Sequence, residues 1–184
     1  MRPAILLLAG CPTKPAVAVF EVSESVLVEI GVVEPEDLAP VALELRVAEI
    51  VFDGEGADEP VSIAAQVDQT LTPLVRTEPM SLGVPSGPYE DGFLTVELAA
   101  DEGPALLFVA TRGDDLLQVR IDALTLELPV GALQVEEEVR LRVWLSPDAW
   151  GLEGVAGTVD LSSGAVYDDV IEAIGRSSVL EALP

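Results

Sequence analysis

Leu43, Leu45 and Val47 alternate with Glu44 and Arg46. A period of two is the mark of a strand with one face buried and one face in water. The same alternation returns near the end of the chain. There Val139, Leu141, Val143 and Leu145 interleave with Arg140, Arg142 and Trp144. Between and around these two stretches lie further short apolar runs: 17–22, 26–33, 61–67, 93–99, 105–111, 116–121, 124–128 and 158–161. They are rich in valine and leucine and are punctuated by Gly103-Pro104, by Gly113-Asp114-Asp115 and by Glu34-Pro35-Glu36-Asp37. Many short strands at turn-marked intervals predict an all-β chain, an antiparallel β-sandwich.

The details refine this expectation. The period slips at Ala48-Glu49, which predicts a bulge or a strand end. The stretch from Glu78 to Tyr89 holds three prolines and two glycines, which predicts a loop. Ser146-Pro147-Asp148-Ala149-Trp150 reads as one helical turn with serine at the N-cap and proline at N1. From Ala165 to Leu183 the apolar spacing changes to Val166, Val170, Ile171 and Ile174, which predicts one short C-terminal helix.

Composition sets the chemistry that remains. Of 184 residues 49% are apolar, enough for a real core in a chain of about one domain. Thirty-three acidic residues face nine basic ones, a net charge of −24. That field repels nucleic acid, and a nucleic-acid role is excluded on this basis. Histidine is absent, so Ser-His-Asp and Cys-His catalysis and histidine-ligated metals are excluded. Cys11 is the only cysteine, so no disulfide forms within the chain. Lys14 is the only lysine. Carboxylate chemistry and oxygen-ligated metals survive these exclusions.

The N-terminus points to a location. Arg2 supplies a positive charge, Ala4 to Leu8 form a short apolar run, and Ala9 and Gly10 are the small residues that precede a signal-peptidase cut. Leu8-Ala9-Gly10-Cys11 resembles the bacterial lipobox at all four positions. That resemblance implies cleavage between Gly10 and Cys11, diacylglycerol on the Cys11 sulfur and a further acyl chain on the new amino group. Two or more chains hold a protein stably to a bilayer, whereas one does so marginally. Residues 1–10 are then a signal peptide and 11–16, with Pro12 and Pro15, a lipidated tether. Residues 17–184 form one domain, and the partner of first resort is the membrane through the anchor. Pro12 stands where inner-membrane lipoproteins carry aspartate, so the resemblance implies the outer membrane.

A second resemblance rests on order and pattern. Leu43-Glu44-Leu45-Arg46-Val47 is followed by Val84-Pro85-Ser86-Gly87-Pro88-Tyr89 ahead of 93–98, and then by Val143-Trp144-Leu145 and Trp150 before the helix. This is similar to bacterial lipoproteins that carry an immunoglobulin- or transthyretin-like β-sandwich. The resemblance implies a fold and no catalytic residues.

Two groups of side chains are candidates for binding. Asp53, Glu55, Asp58 and Glu59, with Gly54 and Gly56 between them, would offer oxygens to calcium, although the spacing is not that of an EF-hand. The plainer reading is a solvated hairpin turn. Trp144 shares its strand face with Arg140 and Arg142, and Trp150 follows closely. An exposed tryptophan beside arginine suits a sugar or a protein partner. The plainer reading there packs Trp144 under Trp150 or the terminal helix. The expectation is a non-enzymatic envelope lipoprotein acting as a structural or interaction module. The alternatives are a carbohydrate or cell-wall polymer binding module and a carboxylate-only glycoside hydrolase.

Overall fold

The computed structural model describes residues 24–56, 60–72, 74, 78–153, 155 and 159–183. Among them the chain forms β1 (Glu24–Val32), β2 (Ala39–Gly56), β3 (Pro60–Leu71), β4 (Met80–Val84) and β5 (Gly87–Ala99). It continues through β6 (Leu106–Arg112), β7 (Asp115–Ile121), β8 (Ala123–Val135) and β9 (Val139–Leu145). A 3-10 turn (Pro147–Trp150), β10 (Val159–Leu161), α1 (Ala165–Ser177) and β11 (Val179–Leu183) complete it. The fold is a β-sandwich with one short C-terminal helix. Two strand pairs are parallel, β1 with β9 and β7 with β10, while every other pair is antiparallel.

The smaller sheet has the order β11-β9-β1-β4. The larger one is built on β2, whose length lets two strands lie end to end along it. β5 pairs with its C-terminal half and β6 with Ala39–Leu45. β3 takes the opposite edge, so Leu45 faces both Leu71 and Leu106. β8 and β7 continue the pattern outward, against β5 and β6.

A crease crosses this sheet. On β2 the inward residues change from Leu43, Leu45 and Val47 to Ile50 and Phe52, because Ala48 is an extra residue in the ladder. In the outer row they change from Leu117, Val119 and Ile121 to Leu124, Leu126 and Leu128, with Asp122 at the break. Between them, residues 100–104 leave the strand ladder, and Ala105 rejoins it by accepting from the Arg46 N–H and donating to the Ile121 carbonyl. A bulge bends its strand and tightens the local twist, and three breaks in register side by side fold the sheet along a line. The slip at Ala48-Glu49 is thus a bulge, as the periodicity predicts.

Inward side chains of both sheets form one core. Val26, Val28, Leu82, Leu141 and Val143 meet Leu43, Phe52, Leu94, Phe108 and Leu126, all essentially inaccessible to solvent. Val170 and Ile174 of α1, with Trp150, belong to the same cluster.

Three expectations change. The stretch from Glu78 to Tyr89 is not a loop. Met80, Leu82 and Val84 point inward and are buried, Ser81 and Gly83 point out, and the prolines at 79 and 85 flank the strand rather than interrupt it. The helical spacing after Ala165 ends at Ser177. Ser178 turns extended (φ −69°, ψ 131°), and β11 then pairs antiparallel with β9. Ser146 makes no side-chain cap. The turn after it is held by the Ala149 N–H donating to the Ser146 carbonyl at 2.9 Å. The expected strand at 17–22, the tether and the signal peptide lie outside the described residues.

Candidate functional site

β9 sits between β1 and β11, and the alternation that buries Leu141, Val143 and Leu145 turns Arg140, Arg142 and Trp144 outward. Register decides their neighbours. Arg142 lies opposite Glu29 on one side and Glu181 on the other, and Trp144 lies opposite Gly31 and Val179. The outer face of the smaller sheet is therefore a row of aromatic, basic and acidic groups drawn from three strands far apart in sequence.

These groups hold one another. The Arg142 guanidinium donates to Glu29 Oε2 from NH2 at 2.6 Å and from Nε at 3.2 Å. Its Cζ lies 5.1 Å from the Trp144 ring centroid, a cation–π distance. The Trp144 indole N–H donates to Glu181 Oε2 at 2.6 Å. Arg140 is bound by Glu138, two residues before it, at 2.8 and 2.9 Å. The pairing of both arginines with surplus carboxylates follows from the charge excess. The ring of Trp144 lies over Gly31, where no side chain competes for the space.

Beside these bonded groups the face leaves apolar surface free. Val33 is 46% and Val179 57% exposed. Together with Val32, Glu34, Ser146 and Trp144 they line a shallow depression of about 480 Å³. Glu29, Gly31, Val33, Val179 and Glu181 were not singled out by the sequence reading. Gly31, a lone glycine inside an apolar strand pattern, is the signal that a close approach occurs there.

Trp150 does not belong to this surface. It is fully buried, its ring edge-to-face with Phe108 at 5.1 Å, and among the described residues its indole N–H has no hydrogen-bond partner. It follows the 3-10 turn rather than the strand, and the turn carries it into the core. A tryptophan there anchors the fold and offers nothing to a ligand.

The acidic stretch divides. Asp53 and Glu55 stand at the end of β2 and line a depression of about 400 Å³ with Pro60, Ser62, Asp91 and Phe93. Asp58 and Glu59 lie outside the described residues. Among the described residues no group of three or more such side chains is arranged to hold a metal ion.

Two further residues organise the ends of the sandwich. The Tyr89 hydroxyl donates to the Pro85 carbonyl at 2.6 Å, across the corner where the chain passes from β4 to β5. Burial pushes its hydroxyl pKa above the usual value near 10. Its ring meets Phe52 edge-on at 5.3 Å. Arg112 spreads its guanidinium over three backbone carbonyls, those of Leu152 at 3.1 Å, Glu153 at 3.3 Å and Val155 at 2.8 Å. Among the described residues no helix is long and apolar enough to cross a membrane. Comparison with protein-family models, with curated proteins and with solved structures finds no match to this chain.

Proposed function

We propose that this protein is a lipid-anchored envelope protein of the outer membrane whose β-sandwich is an interaction module rather than an enzyme. Its contact surface is the Trp144 face, and its partner is a protein. The carrying observation is the patch of Trp144, Val33 and Val179 on an outer sheet face. Exposed apolar area rimmed by charge suits a protein contact. The anchor rests on Leu8-Ala9-Gly10-Cys11, which lies outside the described residues. An immunoglobulin- or transthyretin-like relationship is part of this reading. It is supported by the Tyr89 contact, whose hydroxyl reaching back four residues at a corner between sheets resembles a tyrosine corner.

The test uses the full chain in a bacterium. Intact mass gives a mature chain beginning at Cys11 with added lipid, absent from Cys11→Ala. A photo-crosslinking side chain placed at position 179 captures one defined protein, and Trp144→Ala abolishes that adduct. An unlipidated chain still beginning at Met1 removes the anchor. An adduct indifferent to Trp144 removes the contact surface.

The second reading is carbohydrate or cell-wall polymer binding, favoured by the guanidinium beside the indole ring. Sugar recognition needs free hydrogen-bonding groups around the aromatic platform, and here the Trp144 indole N–H and two of the three Arg142 guanidinium nitrogens are already engaged. Quenching of Trp144 fluorescence by cell-wall glycan fragments is the observation that would restore it.

A further inference from the structure

We infer that β3 is a second docking site, one that accepts an extended segment of a basic protein as an added strand. An edge strand presents a row of unpaired backbone donors and acceptors, and folded proteins normally blunt such edges. Most edges here are blunted. β4 and β11 have five residues each and β10 three. β8 is interrupted by Pro129 and by the irregular register at Gly131, and it meets α1 and β11. β3 is different. Among the described strands it pairs only with β2, and it runs for twelve residues. Between Pro60 at its start and Asp68, whose φ of 45° marks a bulge opposite Ala48, lies the uncharged stretch Val61-Ser62-Ile63-Ala64-Ala65-Gln66-Val67. This part of the edge thus lacks the charges that commonly blunt an edge strand.

The faces of this edge state what fits. Val61, Ile63, Ala65 and Val67 point to the core side and are only partly buried, and among the described residues no strand lies beyond them. Ser62, Ala64 and Gln66 point outward. Behind them the register sets Asp53 and Phe93 in line with Ser62, and Glu49 and Glu97 in line with Gln66. Glu49 and Glu97 stand directly opposite each other, a cross-strand like-charge pair that is unfavourable by itself. Strands are spaced about 4.8 Å apart, so a strand added to β3 stands about 10 Å from β2. Lysine or arginine side chains on its outer face then reach toward Asp53 and Glu49, while apolar side chains on its inner face cover Ile63 and Ala65. Added-strand recognition takes affinity from the backbone and specificity from alternate side chains. A second copy of this chain fits less well, since it brings another −24 charges to the same edge. The site is separate from the Trp144 face and does not depend on the lipid anchor.

The test is amide hydrogen exchange on the whole folded protein with a capped peptide of about eight residues alternating lysine and valine. Its twins carry glutamate for lysine, or proline at the centre. The expected result is protection of the Val61–Val67 amides, at least about tenfold weaker binding of either twin, and loss of affinity with added salt. Ala64→Lys, on the exposed face where folding is unaffected, weakens the lysine peptide by a similar factor. Trp144→Ala leaves it unchanged. Protection confined to other strands overturns the proposal. So does equal binding of the glutamate twin, full affinity in Ala64→Lys, or no protection at all. A concentration-dependent dimer with β3 amides protected in the absence of peptide overturns it in favour of self-association.

Discussion

A Cβ built on Gly31 would lie 2.7 Å from Cζ3 of Trp144 and 2.9 Å from its Cε3, so the ring occupies the space that any other residue at 31 would need. The backbone there is ordinary extended strand, and the ring excludes a side chain, with Arg142 Cδ next nearest at 3.3 Å. Gly31→Ala therefore lifts Trp144 off β1 and strains its bond to Glu181. The expected cost is about 1–3 kcal/mol, the usual range for overpacking. It is measured by urea denaturation, with a red-shifted Trp144 emission read in a Trp150→Phe background. In a Trp144→Ala background the same change becomes neutral or stabilising, since alanine is favoured over glycine in a strand by roughly 0.5–1 kcal/mol. A cost that persists without the ring would show that something other than Trp144 fills the site.

Trp150 presents a different balance. Its ring fills the core beside Phe108, yet its indole N–H is buried without a partner among the described residues. Trp150→Ala leaves a large cavity and is expected to cost about 3–5 kcal/mol. Trp150→Phe also loses volume, but it removes a donor whose unpaired burial is unfavourable by about 1–3 kcal/mol. The phenylalanine variant is expected to cost less than half as much as the alanine variant, as judged by chemical denaturation. Equal costs would mean that the indole N–H is satisfied in solution.

The corner between β4 and β5 gives a pH dependence. Tyr89→Phe removes the bond to the Pro85 carbonyl and is expected to cost about 0.5–1.5 kcal/mol at neutral pH. Burial holds the Tyr89 pKa above 10, so the folded state prefers the protonated phenol. That preference contributes fully below pH 10, where the unfolded chain is protonated too. It is lost as pH rises from 10 through the raised folded value, because the unfolded chain ionises first. The stability gap between wild type and Tyr89→Phe should therefore close above pH 10 in denaturation series. A constant gap would remove Tyr89 as the titrating group.

Arg112 clamps a loop from outside the core. Its three carbonyl contacts need a planar fork with several donors, which lysine lacks. Arg112→Met should cost about 1.5–3 kcal/mol and speed amide exchange at Leu152, Glu153 and Val155. Arg112→Lys should recover little of it. Full recovery by lysine would assign the effect to charge alone.

Much of the fold was legible because strand periodicity is a local property. β9 follows the alternation from Val139 to Leu145, and the slip at Ala48 marks the bulge. The misreadings share one cause. Met80 to Val84 sits among prolines and glycines whose turn chemistry outweighed a short alternation. Val179 to Leu183 is too short to announce itself after a helix, and becomes a strand because the edge of β9 is there to pair with. Among the candidate residues, the outward direction of Arg140, Arg142 and Trp144 was readable from phase. The burial of Trp150 was not, because it depends on where a 3-10 turn leads the chain.

The sequence by itself determined that this chain is β-rich and acidic, which residues of β9 and of the first half of β2 face inward, and which kinds of catalysis are closed to it for want of histidine. The tertiary structure alone decided that β1 lies parallel to β9, that Glu29 and Glu181 flank Arg142, and that Gly31 receives the ring of Trp144. It also decided that, among the described strands, β3 pairs on one side only. Inward phase is written into neighbouring residues through the pleat of the strand. Partner choice is not, because strands such as β1 and β9 are separated by more than a hundred residues and find one another only when their apolar faces close on a common core.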